Sequence, residues 1–182
     1  MKAVIQHVPG KRHMTMAGLL EAFPDAQVIN CDGRPMTTFY RCLLAAGETA
    51  SLMFEDDVTL CRGFKEKVSA VVEDNPGRLI TFFSLRTMGV EGLTELPGSS
   101  YLMNQCYYLP PGMAAGIAEY LKTWPRIKEH PTGFDLVIRD YLVHTKTKYL
   151  LHEPSLVQHD MVRSELGKRA TRRQSPTFRY DQ

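Results

Sequence analysis

The sequence predicts an α/β fold in which a sheet of mostly parallel strands is flanked by helices. The main observation is that short apolar runs alternate with segments of helical periodicity through the first half of the chain. A second observation is the composition, since 43% hydrophobic and 23% charged residues are typical of a globular domain. A chain of 182 residues can bury a core without disulfides or a structural metal. We therefore expect one domain over residues 1–182, with a basic carboxyl-terminal segment at 154–182.

Three strand-then-helix units make up the predicted first half. Apolar runs at 3–8, 27–31 and 51–54 are the predicted strands, and the first of them ends at Pro9-Gly10. Helical spacing indicates helices over 15–23 and from Thr37 and Thr38, as caps, to Gly47. Strands that alternate with helices in this way predict parallel pairing.

The second half is less regular. The predicted helices cover 64–72, a segment after Pro110-Pro111 that runs through Leu121, and 134–143, and the predicted strands cover 79–85, 105–109 and 149–151. Three glycines and Pro97 predict a long loop over 88–99. From Pro154 onward the chain turns polar and basic.

Charge and cysteine content exclude several classes of protein. The formal net charge of +2, from 22 basic and 20 acidic residues, is too small for nucleic-acid binding by bulk electrostatics, so any such surface must be local. Four scattered cysteines without a Cys-x-x-Cys pair predict neither a zinc ribbon nor a disulfide framework. We find no signal-peptide core and no apolar stretch that could span a bilayer. These features indicate a cytoplasmic protein, in the host cytoplasm if the source is viral.

Three consecutive carboxylates, Glu55, Asp56 and Asp57, follow the strand that ends at Phe54. Like charges this close repel one another, so a cation or a basic side chain is expected beside them. Strand alternation puts Glu55 and Asp57 on one face and Asp56 on the other. Because ligands of open α/β sheets bind beyond the carboxyl ends of the strands, we interpret the triplet as a site for a hard divalent cation. The alternative is a solvated acidic turn that caps the next helix.

A histidine near the carboxyl terminus is the candidate nitrogen ligand of the same cation. His159 follows a short apolar run in Pro-Ser-Leu-Val-Gln-His. Basic residues that could neutralise a diphosphate follow it, namely Lys168, Arg169, Arg172 and Arg173. The plainer interpretation is a surface or core histidine and solvated surface charges.

In chain order these features resemble the GT-A class of nucleotide-sugar glycosyltransferases. The resemblance consists of a strand, a loop with Arg12, a second strand that ends at Asp32, a helix with Arg41, and then Phe-Glu-Asp-Asp-Val. In that class a DxD-type motif holds a divalent metal against the diphosphate of the sugar nucleotide. The segment 101–109 with the proline-started helix after it is similar to the acceptor-side strand and helix of such enzymes.

The carboxyl-terminal segment is also similar to such enzymes. Pro-Ser-Leu-Val-Gln-His, followed by Ser-Glu-Leu-Gly-Lys, resembles the last segment of the small lipooligosaccharide transferases and of the N-acetylglucosaminyltransferase IV type. There a histidine or polar residue lies near the metal. This chain departs from the class in being shorter than most members, which leaves little room for an elaborate acceptor domain.

The resemblance implies a metal-dependent glycosyltransferase that uses Mn²⁺ or Mg²⁺ and a nucleotide sugar, with uridine diphosphate as the expected carrier. Glu55, Asp57 and His159 are then the metal ligands. The expected nucleotide contacts are Arg12, Asp32, Arg41, Asp56, Lys168, Arg169 and Arg172. Metal and basic groups suit this chemistry because the leaving diphosphate develops negative charge.

An inverting transferase also needs a carboxylate that accepts the proton of the acceptor hydroxyl. Asp135 opens the helix predicted at 134–143 and is the candidate base. Its alternative role is to complement the helix dipole. Asp140, further along the same helix, is the second candidate. A retaining enzyme needs neither as a base, and the sequence does not decide the stereochemistry.

The sequence leaves two classes of acceptor molecule possible. The basic carboxyl-terminal segment predicts a polyanion, such as DNA that carries hydroxymethylated pyrimidines, with the base flipped into a pocket. Small viral DNA-modifying transferases resemble this compact form. A surface saccharide is the rival acceptor. From other classes, a non-catalytic nucleic-acid-binding protein and a nucleotidyltransferase or phosphoesterase remain alternatives, although no Walker-type glycine loop is present.

Overall fold

The computed structural model describes residues 1–10, 13–160 and 173–181. Its strands are β1 (Lys2–His7), β2 (Gln27–Asn30), β3 (Ser51–Glu55), β4 (Val58–Leu60), β5 (Ile80–Thr81), β6 (Gly92–Pro97), β7 (Cys106–Leu109), β8 (Lys148–Glu153) and β9 (Val157–His159). Its helices are α1 (His13–Ala22), α2 (Pro35–Ala46), α3 (Phe64–Asp74), α4 (Met113–Lys122) and α5 (Phe134–His144), and a 3-10 turn covers Gly98–Ser100.

A seven-stranded sheet forms the centre of the fold, in the order β2-β1-β3-β7-β5-β8-β6. β1 pairs in parallel with β2 and β3, and β5 pairs in parallel with β8. β7 runs antiparallel to both β3 and β5, and β6 runs antiparallel to β8. Five of the seven strands therefore point the same way, which confirms the predicted α/β fold with a mostly parallel sheet.

Each face of the sheet is covered by helices. Val4 and Met53 belong to the hydrophobic cluster formed with α2, α4 and α5, whereas Ile5 and Leu52 belong to the cluster formed with α1 and α3. This is the period-two alternation of strands that are buried on both faces. The carboxyl ends of β1 and β3 lie side by side, and their register pairs Gln6 with Glu55.

Helix α2 begins earlier than the sequence analysis predicts. Its first residue is Pro35, whose fixed φ suits the first turn of a helix. Thr37 and Thr38 therefore lie inside the helix, and the hydroxyl of Thr38 donates to the carbonyl of Arg34 at 3.1 Å. The predicted end at Gly47 is confirmed, where φ is 59°.

The predicted loop over 88–99 contains an edge strand, β6. Gly92 and Pro97 stand at its two ends, and both residue types are loop signals in a sequence. A proline is tolerated there because β6 is the last strand of the sheet. The three-residue strands β4 and β9, which pair antiparallel, were also missed because runs this short show no periodicity. β4 interrupts the third predicted strand-then-helix unit.

Candidate functional site

The three carboxylates predicted as a metal site form a turn where β3 ends. Glu55 is the last residue of β3, and Asp56 and Asp57 form a bend before β4 begins. We refer to Glu55–Asp57 as the acidic turn. The predicted strand alternation applies no further than Glu55, because the bend gives each carboxylate a different set of neighbours.

Asp56 is held by the end of β1. Its Oδ2 lies 2.7 Å from Nδ1 of His7 and accepts a hydrogen bond from the backbone N–H of Val8 at 2.7 Å. The hydroxyl of Thr15 in α1 donates to the backbone carbonyl of Asp56, also at 2.7 Å. Asp56 is 1% exposed. Its contacts fix where β1 passes into the loop before α1, and its predicted contact with the nucleotide stays a prediction.

The sequence analysis missed His7 as a residue of the site. The signal was that His7 lies near the carboxyl end of the strand expected to pair in parallel with the strand before the acidic turn. Parallel neighbours bring their carboxyl ends to the same edge of a sheet, so a polar residue at the end of β1 lies beside one at the end of β3.

Asp57 and His159, both predicted as metal ligands, lie in direct contact, and their role toward a metal stays a prediction. Oδ2 of Asp57 lies 3.1 Å from Nε2 of His159, and both side chains are buried. The pairing of β4 with β9 brings them together, because its register sets Val58 opposite His159. The backbone N–H of Asp160 donates to the carbonyl of Asp57 at 2.7 Å, which fixes the end of β9 against the acidic turn.

Glu55 has a different neighbourhood. Nε2 of Gln105 donates to its Oε2 at 3.2 Å, and Glu55 lines a small cavity with Phe39 of α2 and Phe134 of α5. In the described ranges, no three side chains of His, Cys, Asp or Glu lie together as a ready metal site. Asp57 and His159 thus offer two adjacent donors. That number suits Mg²⁺ and its relatives, which are commonly held by few protein groups, with substrate phosphates and water as the other ligands.

Two of the predicted nucleotide contacts lie along the same edge of the sheet. Asp32 follows β2 and accepts a hydrogen bond from the backbone N–H of Arg34 at 3.2 Å. Arg41 of α2 donates to the carbonyl of Asn30, the last residue of β2, at 3.3 Å. Both side chains are exposed and therefore accessible to a ligand.

The remaining predicted contacts are Arg12, Lys168, Arg169 and Arg172, and these four lie outside the described residues. The described chain on either side of 161–172 is anchored near the acidic turn. Gln158 exchanges two hydrogen bonds with the backbone of Ser175, at 3.2 and 2.8 Å.

Asp135 lies in the first turn of α5, which begins at Phe134, and is half-buried. Burial raises the pKa of the Tyr101 phenol well above its usual value, and the negative charges of Asp135 and Glu55 raise it further. The residue before Asp135, Phe134, lines the same cavity as Glu55. The role of Asp135 as the base stays a prediction.

Asp140 has a structural environment. Its Oδ2 accepts hydrogen bonds from Nε1 of Trp124 and from Arg126, each at 3.1 Å, and its Oδ1 accepts from Arg139 at 3.1 Å. Burial alone would raise the pKa of Asp140, but these donors outweigh burial and lower it below its usual value. A carboxylate held in this way is a poor proton acceptor, which leaves Asp135 as the better candidate.

We expect Asp140→Asn to lower the free energy of unfolding by about 1–2 kcal/mol at pH 7. Because folding lowers the pKa of Asp140, the stabilisation is complete above the unfolded-state pKa and is lost as the pH falls through the folded-state pKa. Urea unfolding of both proteins from pH 7 down to pH 2 measures the difference. A difference that stays constant over this range would contradict the role of the charge. Asp74→Asn, at an exposed position of α3, is the control.

Comparisons with known proteins support the fold. No protein-family model matches the sequence, and no curated protein matches it significantly. Among solved structures, the chain is similar to CTP:phosphocholine cytidylyltransferase from Streptococcus pneumoniae, with a TM-score of 0.50 and 10% sequence identity. The match covers 87% of this chain and 92% of that one. This likeness shows a shared α/β fold, and the GT-A type remains a proposal. No helix in the described part of the chain has the length and apolar character needed to cross a membrane.

Proposed function

We propose that the chain is a metal-dependent transferase that binds a nucleoside diphosphate sugar and moves the sugar to a hydroxyl acceptor. The observation that carries this proposal is the contact between Asp57 and His159 beside the carboxyl edge of β1 and β3. A carboxylate and an imidazole from distant parts of the chain meet there at 3.1 Å. Ligands of open α/β folds bind at this edge of the sheet.

The donor set fits a divalent cation that binds together with a diphosphate. Bound Mn²⁺ or Mg²⁺ would supply charge stabilisation to the departing diphosphate. Asp57 and His159 would hold the ion, and Glu55, two residues before Asp57, is the third predicted ligand. Asp56 positions the end of β1 through His7 and Val8, so the edge that receives the nucleotide is fixed before binding.

Other polar and basic residues near this edge of the sheet are proposed to contact the nucleotide. Asp32 and Arg41 are exposed beside the end of β2, where they can contact the nucleoside. Lys168, Arg169 and Arg172 stand in the sequence between Asp160, which is bonded to Asp57, and Ser175, which is bonded to Gln158. Their positive charges suit the diphosphate, as does that of Arg12, which precedes α1 in the sequence.

The role proposed for Asp135 is to accept the proton of the acceptor hydroxyl. Asp135 lies on the α5 side of the sheet, near the cavity that Glu55 lines, whereas Asp56 contacts the α1 side. The base and the diphosphate site would then approach the sugar from different sides. Two such positions are what an inverting displacement requires, because the acceptor attacks opposite the leaving group.

Nucleotidyl transfer is the second candidate, and the likeness in fold to a CTP:phosphocholine cytidylyltransferase favours it. The same metal chemistry serves both reactions. The two differ in their products, since glycosyl transfer releases a nucleoside diphosphate and nucleotidyl transfer from a nucleoside triphosphate releases pyrophosphate.

For the acceptor we propose hydroxymethylated pyrimidines in DNA, with a surface saccharide as the rival. The supporting feature is the basic carboxyl-terminal sequence, of which Arg173 and Arg179 are described. Arg179 is exposed and lies 4.0 Å from Glu91, a distance at which the pair leaves the guanidinium accessible to phosphate.

Product analysis tests the proposed function. The chain is incubated with Mn²⁺ or Mg²⁺ and, separately, with a panel of UDP-sugars or with CTP and phosphocholine, each with hydroxymethylated DNA or oligosaccharides present. We expect release of UDP that requires the metal and stops in chelator. Release of pyrophosphate from CTP would instead establish the second candidate. Neither product under any of these conditions would contradict a transferase and favour a non-catalytic binding protein.

A further inference from the structure

A small cavity lies behind the acidic turn, on the side of the sheet that α2 and α5 cover. Its volume is about 10 Å³, room for a single group the size of a water molecule. Most of its lining is apolar, with Phe39 and Phe134 among the walls, and three of the lining residues have an amide or carboxylate side chain. These are Gln6, Glu55 and Asn104.

Asn104 is the unusual member of this lining. It is 5% exposed, and neither Nδ2 nor Oδ1 has a hydrogen-bond partner among the described residues. A buried amide whose donor and acceptor are both unpaired lowers the stability of the fold. Such a group needs a hydrogen-bonding partner, either a water or a polar group of a ligand, and the cavity beside it is where that partner would lie.

The two neighbours of Asn104 are also unusual. Met103 has a φ of 75°, a backbone angle that residues other than glycine rarely adopt. On the other side, Gln105 donates to Glu55, which ties the segment to the acidic turn. A fold that accepts both an unfavourable backbone angle and an unpaired amide at neighbouring positions has the character of a binding site.

The hydrogen-bonding groups that line the cavity determine which chemical group can bind there. An amide offers a donor and an acceptor, and a hydroxyl group satisfies both. A phosphate oxygen can only accept, and the quaternary ammonium of choline can do neither. Burial raises the pKa of the Cys42 thiol, also in the lining, to about 12, so it is neutral and contributes no charge.

We propose that Asn104 is a specificity-determining residue that binds a hydroxyl of the sugar carried by the nucleotide, at the cavity between Glu55 and Gln6. The inference rests on the proposed function and deepens it by naming the part of the donor that this cavity recognises. Glu55 connects the two subsites, since it lines the cavity and begins the acidic turn that contains Asp57.

Asn104→Leu tests the proposal, because leucine keeps nearly the same shape and removes both polar atoms. Calorimetry compares the affinities for UDP and for UDP-glucose, with Mn²⁺ present. We expect the variant to bind UDP as the wild type does and to bind UDP-glucose about 10- to 100-fold more weakly, the loss that two hydrogen bonds produce. Gln27→Ala, at the exposed amino end of β2, is the amide control and should change neither affinity.

A thermal melt of the free proteins gives a second readout. Because Asn104 is unpaired, Asn104→Leu should leave Tm unchanged or raise it. A lowered Tm, an equal loss of affinity for UDP and UDP-glucose, or no loss for either would overturn the proposal.

Failure of the proposed function is distinguishable from failure of this inference. If the wild type binds neither UDP nor UDP-glucose with Mn²⁺, the proposed function is wrong. The hydroxyl site is then tested by measuring whether free glucose at high concentration raises the Tm. Glucose that raises the Tm of the wild type and not that of Asn104→Leu supports the hydroxyl site, and an equal response of both proteins overturns it.

Discussion

Asp57→Asn should lower sugar transfer by about 10³-fold while the chain stays folded. The substitution removes one negative charge from the group proposed to hold the metal, and it leaves no cavity because asparagine has nearly the same shape. The amide oxygen can still accept a hydrogen bond from His159, so the contact between β4 and β9 persists. Initial rates of UDP release at limiting Mn²⁺, together with the thermal melt of each protein, measure the two effects.

Two further variants serve as a control and as a comparison for Asp57→Asn. Asp74→Asn removes an exposed carboxylate at the end of α3 and should leave the rate unchanged. His159→Ala should weaken the metal dependence less than Asp57→Asn does, since a neutral donor is lost rather than a charge. Wild-type turnover by Asp57→Asn at limiting metal would show that the acidic turn is not the metal site.

Asp135→Asn is expected to lower kcat by about 10²–10⁴-fold with little change in the KM for the nucleotide sugar. The reason is that a general base acts on the acceptor hydroxyl in the transition state and contributes little to donor binding. Steady-state kinetics with varied donor and acceptor separate the two parameters.

The matched control for Asp135→Asn is Glu119→Gln, an exposed carboxylate on α4 that pairs with Lys122. This substitution should change neither kcat nor KM. If Asp135→Asn turns over at the wild-type rate, Asp135 is a helix N-terminal charge and not a base. Such a result would also be the one expected of a retaining enzyme.

The parts of the fold that local sequence determines were predictable. The apolar run before Glu55 and the helical spacing after Pro35 have strong periodic signals, and both elements are present. β6 was not predictable in this way, because its ends are Gly92 and Pro97 and its stability comes from pairing with β8. The glycine and the proline favour a loop in this segment, whereas pairing with β8 favours a strand. The pairing determines the structure.

The candidate site also has a part that the sequence predicts and a part that it does not. Residue chemistry and position relative to a strand identified Asp57 and His159, and the structure brings them together. The partners of the other carboxylates depend on which strands become neighbours. His7 reaches Asp56 because β1 pairs with β3, and Gln105 reaches Glu55 because the segment before β7 crosses that edge. Neither contact has a signal within its own stretch of sequence.

Metal and nucleotide should bind jointly through Asp57, and calorimetric titration of UDP with and without Mn²⁺ measures this coupling. For the wild type, Mn²⁺ should raise the affinity for UDP by about 5- to 150-fold, and UDP should raise the affinity for Mn²⁺ by the same factor. In Asp57→Asn this coupling should fall towards unity. Equal affinity of the wild type for UDP in Mn²⁺ and in chelator would show that Asp57 does not hold a metal against the nucleotide.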